Sequence, residues 1–177
     1  MKQNIDSLKI FISLVCIFCI VSFQSCQDLP ETTQTGAGLL GMRVNGDEWV
    51  AGVINTRVEA SYISFAKGIQ IQASITRENT QQQLNIIVPN VVSSGSYKMD
   101  NFPFLKSRND STRFWYDDNN IDAFKLKSGD INSIQITKFD TVKNIISGTF
   151  TVNLVNRNNE TLKITEGRFD LILNIIN

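Results

Sequence analysis

The sequence predicts an all-β domain folded as a single antiparallel β-sandwich, with a partly open β-barrel as the alternative. Three observations carry that expectation. Residues 69–76, IQIQASIT, alternate strictly: Ile69, Ile71, Ala73 and Ile75 face one way and Gln70, Gln72, Ser74 and Thr76 the other, the pattern of a strand with one wet face. Residues 146–154 alternate as cleanly, with Ile146, Gly148, Phe150, Val152 and Leu154 on one side and Ser147, Thr149, Thr151 and Asn153 on the other. Turn-forming clusters interrupt the short apolar runs about every eight to twelve residues, as sandwiches and barrels require.

The elements follow in order. Residues 39–44, Asn45-Gly46 and residues 47–54 read as a β-hairpin, because Asn-Gly supplies the positive φ of a type I′ turn. Trp49 is expected to pack on the core rather than serve as a binding platform. Residues 55–67 suit two readings: Val58, Tyr62 and Phe65 have helical spacing, while residues 62–66 suit a strand, which is favoured. After residues 69–76, a strand over 84–88 stops at Pro89-Asn90, and the turn at residues 93–96 leads to a short strand over 97–99. Residues 101–122 are irregular; Phe102, Pro103 and Phe104 are placed over one end of the core, and residues 112–116 form a strand. Short strands follow over 124–127 and 131–139, the latter with Ile134 and Ile136 inward, then a turn over 140–144. In the last hairpin the inward residues change phase, from Leu162 and Ile164 to Phe169, Leu171 and Leu173. A one-residue slip reverses every side chain, so a bulge is predicted at Glu166-Gly167, where glycine tolerates the backbone required.

Ahead of this domain, Lys2 and Lys9 outnumber Asp6, and residues 10–23 are mostly apolar. A permanent membrane helix needs about 20 apolar residues, so this shorter run predicts a cleaved signal peptide over residues 1–25. Phe23-Gln24-Ser25-Cys26 resembles the lipobox of bacterial lipoproteins, although Phe23 and Gln24 depart from its usual residues. The resemblance implies that Cys26 begins the mature chain and is acylated; an ordinary signal cut or an uncut signal anchor are the alternatives. Two or more acyl chains, at about 0.8 kcal/mol per buried methylene, anchor a protein stably. Residues 26–38 then form the lipidated N-terminus and a flexible tether, and residues 39–177 the domain. Asp28 and Glu31 resemble the surface-export signals of Bacteroidota lipoproteins, which favours the cell surface over the periplasmic face of the outer membrane.

Composition narrows the chemistry. Cys16, Cys19 and Cys26 are the only cysteines, so the mature domain has neither disulfide nor thiolate chemistry, and Cys16-x-x-Cys19 lies in the leader. The leader removes two lysines and one aspartate, leaving a nearly neutral chain with no basic excess for nucleic acid. Without histidine, the Ser-His-Asp and Cys-His arrangements are absent. No cofactor, metal or enzymatic activity is expected.

Few residues invite a functional reading. Asp118, Asn120 and Asp122 have the alternate spacing of a calcium loop, a candidate cation or ligand loop, but Ala123 stands where glycine is expected and no glutamate closes it. A solvated turn is the plainer expectation. Trp115 and Tyr116 are candidate ligand aromatics, favoured if exposed. Asp117, Asp118, Asp122 and Asp140 are the carboxylates a hydrolase would need in facing pairs. Asp110-Ser111-Thr112 and Asp140-Thr141-Val142 resemble Bacteroidota O-glycosylation motifs, which marks Ser111 and Thr141.

Thr33-Gln34-Thr35-Gly36 with Val44-Asn45-Gly46 and Trp49, and ISGTFTVNL with LKITEGRFDL over residues 146–154 and 162–171, resemble a family of Bacteroidota lipoproteins built on a domain of unknown function. Where many of its members carry cysteine before the VNG hairpin, this chain has Met42. The resemblance implies location and fold class only, with no catalytic residue. Gly148, Thr149 and Phe150, like Gly167, Arg168, Phe169 and Asp170, are expected to be structural, with Arg168 and Asp170 paired on the outer face of one strand. The expected function is that of a membrane-anchored, non-catalytic interaction or structural module with an envelope protein as partner. A glycan or small-ligand binding module is the alternative, and a carboxylate-dependent hydrolase is less favoured.

Overall fold

The computed structural model describes residues 29–54, 56–99, 112–116, 123–127, 129–130 and 132–177. Among the described residues, eleven strands form one large mixed sheet. They are β1 (Leu39–Val44), β2 (Asp47–Ala51), β3 (Arg57–Ile63), β4 (Gly68–Arg77), β5 (Thr80–Val88), β6 (Gly95–Lys98), β7 (Arg113–Tyr116), β8 (Phe124–Leu126), β9 (Ser133–Asp140), β10 (Ile145–Val155) and β11 (Thr161–Ile176). The sheet is not a closed barrel; it folds over itself in the sandwich-like arrangement expected.

Two long strands make that fold possible. One edge of β11 pairs first with β1, up to Asp170, and then in parallel with β3 from Leu173 onward. Its other edge pairs with β10 from Thr161 to Ile172. β10 in turn meets β9 along Ile145–Thr151 and β8 at Leu154 and Val155. Both strands therefore run from a layer of β2, β1, β9 and β6 into a layer of β3, β4, β5, β7 and β8. The inner faces meet across one core. Trp49 of β2 meets Phe114 of β7 edge-on with centroids 6.1 Å apart, and Tyr62 of β3 meets Phe139 of β9 at 5.0 Å. Ile69, Ile71, Ala73 and Ile75 are all buried, as their alternation predicts, and Trp49 is a core residue.

Asn45 and Gly46 take φ of 52° and 97°, the left-handed pair of the type I′ turn, and join β1 to β2 as expected. Residues 64–66 depart from expectation: the strand ends at Ile63, and Ser64–Ala66 is a 3-10 turn closed by Lys67 in left-handed conformation. Phe65 thereby points outward and is exposed.

The predicted bulge is present. Between Gly41 and Arg43 the partner runs from Arg168 to Thr165, and between Phe150 and Val152 it runs from Gly167 to Ile164. Both neighbours thus pass one extra residue in β11, and the change of phase keeps Leu162, Ile164, Phe169, Leu171 and Leu173 all in the core. The role of Gly167 needs correction. Glu166 takes the left-handed backbone, with φ of 53°. Gly167 is required for space, since a Cβ there would lie 2.6 Å from the Phe150 ring. The same arrangement recurs in the opposite direction. Gly148 lies opposite Phe169 and Phe150 opposite Gly167, and a Cβ on Gly148 would lie 2.7 Å from the Phe169 ring. Each phenylalanine covers the glycine across from it, so the GTF and GRF tripeptides interlock as two cross-strand pairs.

Gly167→Ala should cost about 1–3 kcal/mol, because a rigid ring has to move. The penalty should shrink in a Phe150→Ala background. Denaturant unfolding of the four members of that cycle measures the coupling; additive costs would show that the ring is not the cause.

Candidate functional site

The best-built polar site of the described chain centres on Asp170. β11 places this residue on its outer face, opposite Leu39 of β1 and Ser147 of β10, where the next layer of chain covers it. Ser147 donates to Oδ1 at 2.7 Å, and both residues are buried. The remaining donors come from the N-terminal segment. Thr33 Oγ1 donates to Oδ2, as do Thr35 Oγ1 at 3.1 Å and the Thr35 and Ala37 amides at 3.0 and 3.2 Å. The Gly36 amide donates to Oδ1 at 2.8 Å.

Three successive backbone N–H groups converging on one anion form a nest, a concavity that binds negative charge through main-chain dipoles. Gly36 and Gly38, with φ of 77° and 76°, allow the chain to curl around the carboxylate. Burial alone pushes the Asp170 carboxyl up, but the donors on Thr33, Ser147, Gly36 and Thr35 outweigh it and hold the group well below the usual carboxylate range.

The stretch expected to be a flexible tether is therefore, from Leu29 on, a strap docked across the sheet. Leu29 is buried, and Pro30 lies so close over β1 that a Cβ on Gly41 would come within 2.5 Å of its ring. Arg168 donates to the Pro30 carbonyl at 3.1 Å, and Lys138 to that of Gln34 at 3.2 Å. Arg168 and Asp170 do share the outer face, but each grips the strap. The expectation of a pair between them is corrected by the strap that lies over both. Beside the strap runs an open groove of about 360 Å³ whose lining includes Thr32, Gln135, Thr149, Thr151 and Glu166, the last paired with Arg43 at 3.3 Å.

The other candidates fare differently. Trp115 is 8% exposed, with the Arg113 guanidinium 4.6 Å from its ring centroid, so it offers no open face to a sugar and counts against the aromatic platform. The hollow of about 240 Å³ that it borders is lined mainly by polar side chains, Gln72, Ser74, Gln81 and Gln83 with Arg57, beside Leu84. Tyr116 ends β7, and its side chain lies outside the described residues, as do Cys26, Phe102, Phe104, Ser111, Asp117, Asp118, Asn120 and Asp122. Thr141 is exposed in the β9–β10 turn. Asp140 accepts from the Val142 and Lys143 amides there, and the Lys143 amide foremost lowers its pKa. Thr112 uses its hydroxyl on both backbone groups of Ile87. Among the described residues no cluster of three or more acidic, cysteine or histidine side chains could hold a metal, and no helix is long and apolar enough to cross a membrane.

Residue reading missed the clamp itself. Its signal was present: an aspartate inside the apolar run FDLIL of residues 169–173, and a remote segment rich in hydroxyls and glycine able to satisfy it. Compared with protein-family models, curated proteins and solved structures, the chain matches none.

Asp170→Asn should lower the unfolding free energy by about 2–4 kcal/mol at neutral pH, since charged hydrogen bonds are lost and amides are left facing an NH₂ group. Because the folded-state pKa is depressed, the wild-type contribution is present above about pH 4, the unfolded carboxyl value, and is lost as pH falls below it. Urea titrations should show the gap between wild type and variant narrowing in acid. A gap independent of pH would refute the carboxylate's role.

Proposed function

We propose that the chain is an envelope lipoprotein: a non-catalytic interaction or structural module held at the outer membrane by acyl chains on Cys26, with the cell surface favoured over the periplasmic face. The observation that carries this reading is the strap. The segment between the proposed anchor and the domain is gripped by Asp170, Arg168 and Lys138 and does not trail as a leash, which suits a module that must keep one attitude at a surface. The acid best placed for chemistry is engaged by six donated hydrogen bonds, which leaves it no capacity to act as a general acid or base. The stretches that resemble Bacteroidota lipoproteins take part in the same contacts. The TQTG segment binds the aspartate of GRFD, and GTF interlocks with GRF, so the stretches that carry the resemblance are those that hold this fold together.

Fractionation tests the anchor. Wild type should pellet with the outer membrane, and Cys26→Ala should move to the soluble fraction. Protease added to intact cells should digest the wild-type domain. Protection until lysis would move the module to the periplasmic face, and a soluble wild type would end the lipoprotein reading.

A further inference from the structure

We infer that the surface around the β2–β3 turn rests on the lipid bilayer that carries the anchor, an inference that depends on acylation of Cys26. The reasoning starts from chain length. Cys26 precedes Leu29 by three residues, and a fully extended chain advances at most about 3.6 Å per residue, so Leu29 lies within roughly 11 Å of the acylated residue. Leu29 is itself buried against the domain and cannot swing out without leaving its seat over Gly41. The bilayer surface therefore lies next to the point where the strap enters.

That point opens onto an apolar surface. Pro30, the next strap residue, shares a shallow groove of about 550 Å³ with Leu39, Val50 and Val53. Val53 is 53% exposed, and Ile54 beside it is 89% exposed. Two large aliphatic side chains side by side at the tip of a turn, next to the apolar wall of Pro30, Leu39 and Val50, gain nothing in water and would gain from burial. The groove's polar rim holds Glu48 and Arg77, one charge of each sign, with the Arg77 guanidinium donating to the Glu48 carbonyl at 2.9 Å. Aliphatic tips with a charged rim behind them suit the boundary between headgroups and acyl chains. A protein partner is the other candidate occupant of such a surface, but only the bilayer is brought there by the chain's own covalent geometry.

The β10–β11 turn, with Asn158 exposed, lies at the far end of these strands from the β2–β3 turn and serves as the control. The full chain suits a labelling test, because Cys16 and Cys19 leave with the leader and acylation occupies Cys26. Ile54→Cys and Asn158→Cys would each carry a single environment-sensitive fluorophore on the lipidated protein in vesicles of phosphatidylethanolamine and phosphatidylglycerol. The label at 54 should shift to the blue and be quenched by acyl-brominated lipid, while the label at 158 should show neither change. Cosedimentation of both proteins with the vesicles is read in parallel. If both sediment and the two labels behave alike, the surface assignment is overturned while the anchor stands. If neither sediments, the anchor fails and the assignment fails with it.

Discussion

An ionised carboxylate on a covered strand position is tolerable only if every lone pair finds a donor, and Asp170 depends on a segment more than 130 residues away for most of them. The dependence runs both ways. The strap has few apolar side chains of its own and stays on the sheet because the aspartate collects its amides and hydroxyls. Closing so long a loop is entropically costly, so the contact forms profitably only once β10 and β11 have already placed Asp170 beside Ser147. The nest also ends where β1 begins: the Gly38 amide donates to the Asp170 carbonyl at 2.8 Å, and Leu39 is the next residue and pairs with Asp170. One side chain thus docks the strap and helps set the register of the first strand.

That register would be of no use if β11 were regular. A strand of sixteen residues that serves two layers must twist between them, and an unbroken alternation from Leu162 would send Phe169, Leu171 and Leu173 into solvent. The extra residue at Glu166 corrects the phase just before Asp170, so Arg168 and Asp170 face outward beneath the strap while their neighbours face the core. The interlocked glycine–phenylalanine pairs lie beside this point. They fill the space that a bulged backbone opens, with rings centred 6.4 Å apart. Bulge, pairs and clamp therefore occupy one short stretch of β10 and β11, and each places the next.

The parts of this arrangement that follow a local rule were legible in the residues. Period-two alternation located β4, β10 and β11, Asn45-Gly46 announced its turn, and the parity change from Ile164 to Phe169 required a bulge. What depended on distant partners was not legible. Nothing near Thr33 or Gly36 shows that their donors have an acceptor in the last strand, so a polar, glycine-bearing stretch read as a tether. Trp115 looked like a ligand platform because aromatic identity is visible in a sequence and the Arg113 cation above its ring is not. Gly167 was assigned a backbone role because glycine usually has one, whereas here the Phe150 ring occupies the space a Cβ would need. For Trp115 and Gly167 the strand was correctly read and the neighbouring side chain was hidden; for the strap the distant acceptor was hidden.

The clamp changes what anchoring would mean mechanically. A free tether of the twelve residues from 27 to 38 would have a root-mean-square reach of about 17–20 Å. A domain on such a leash samples all orientations, and any exposed face can meet a partner. With Leu29 seated on β1, three chain links of about 11 Å remain, comparable to the thickness of a headgroup layer and less than the breadth of the domain. Acylation at Cys26 would then restrict rotation and would withhold the surface around Pro30 and Val53 from large soluble partners. The surfaces left to work would lie to the side and away from the strap, including the edge of β6 that no strand pairs among the described residues and the hollow bordered by Gln72 and Gln83. An edge held at constant height above a membrane meets neighbours in the same plane at high effective concentration, so even weak strand pairing or polar contact becomes productive without a deep pocket. A module built this way needs little affinity of its own, which accords with a chain whose most elaborate polar site binds itself.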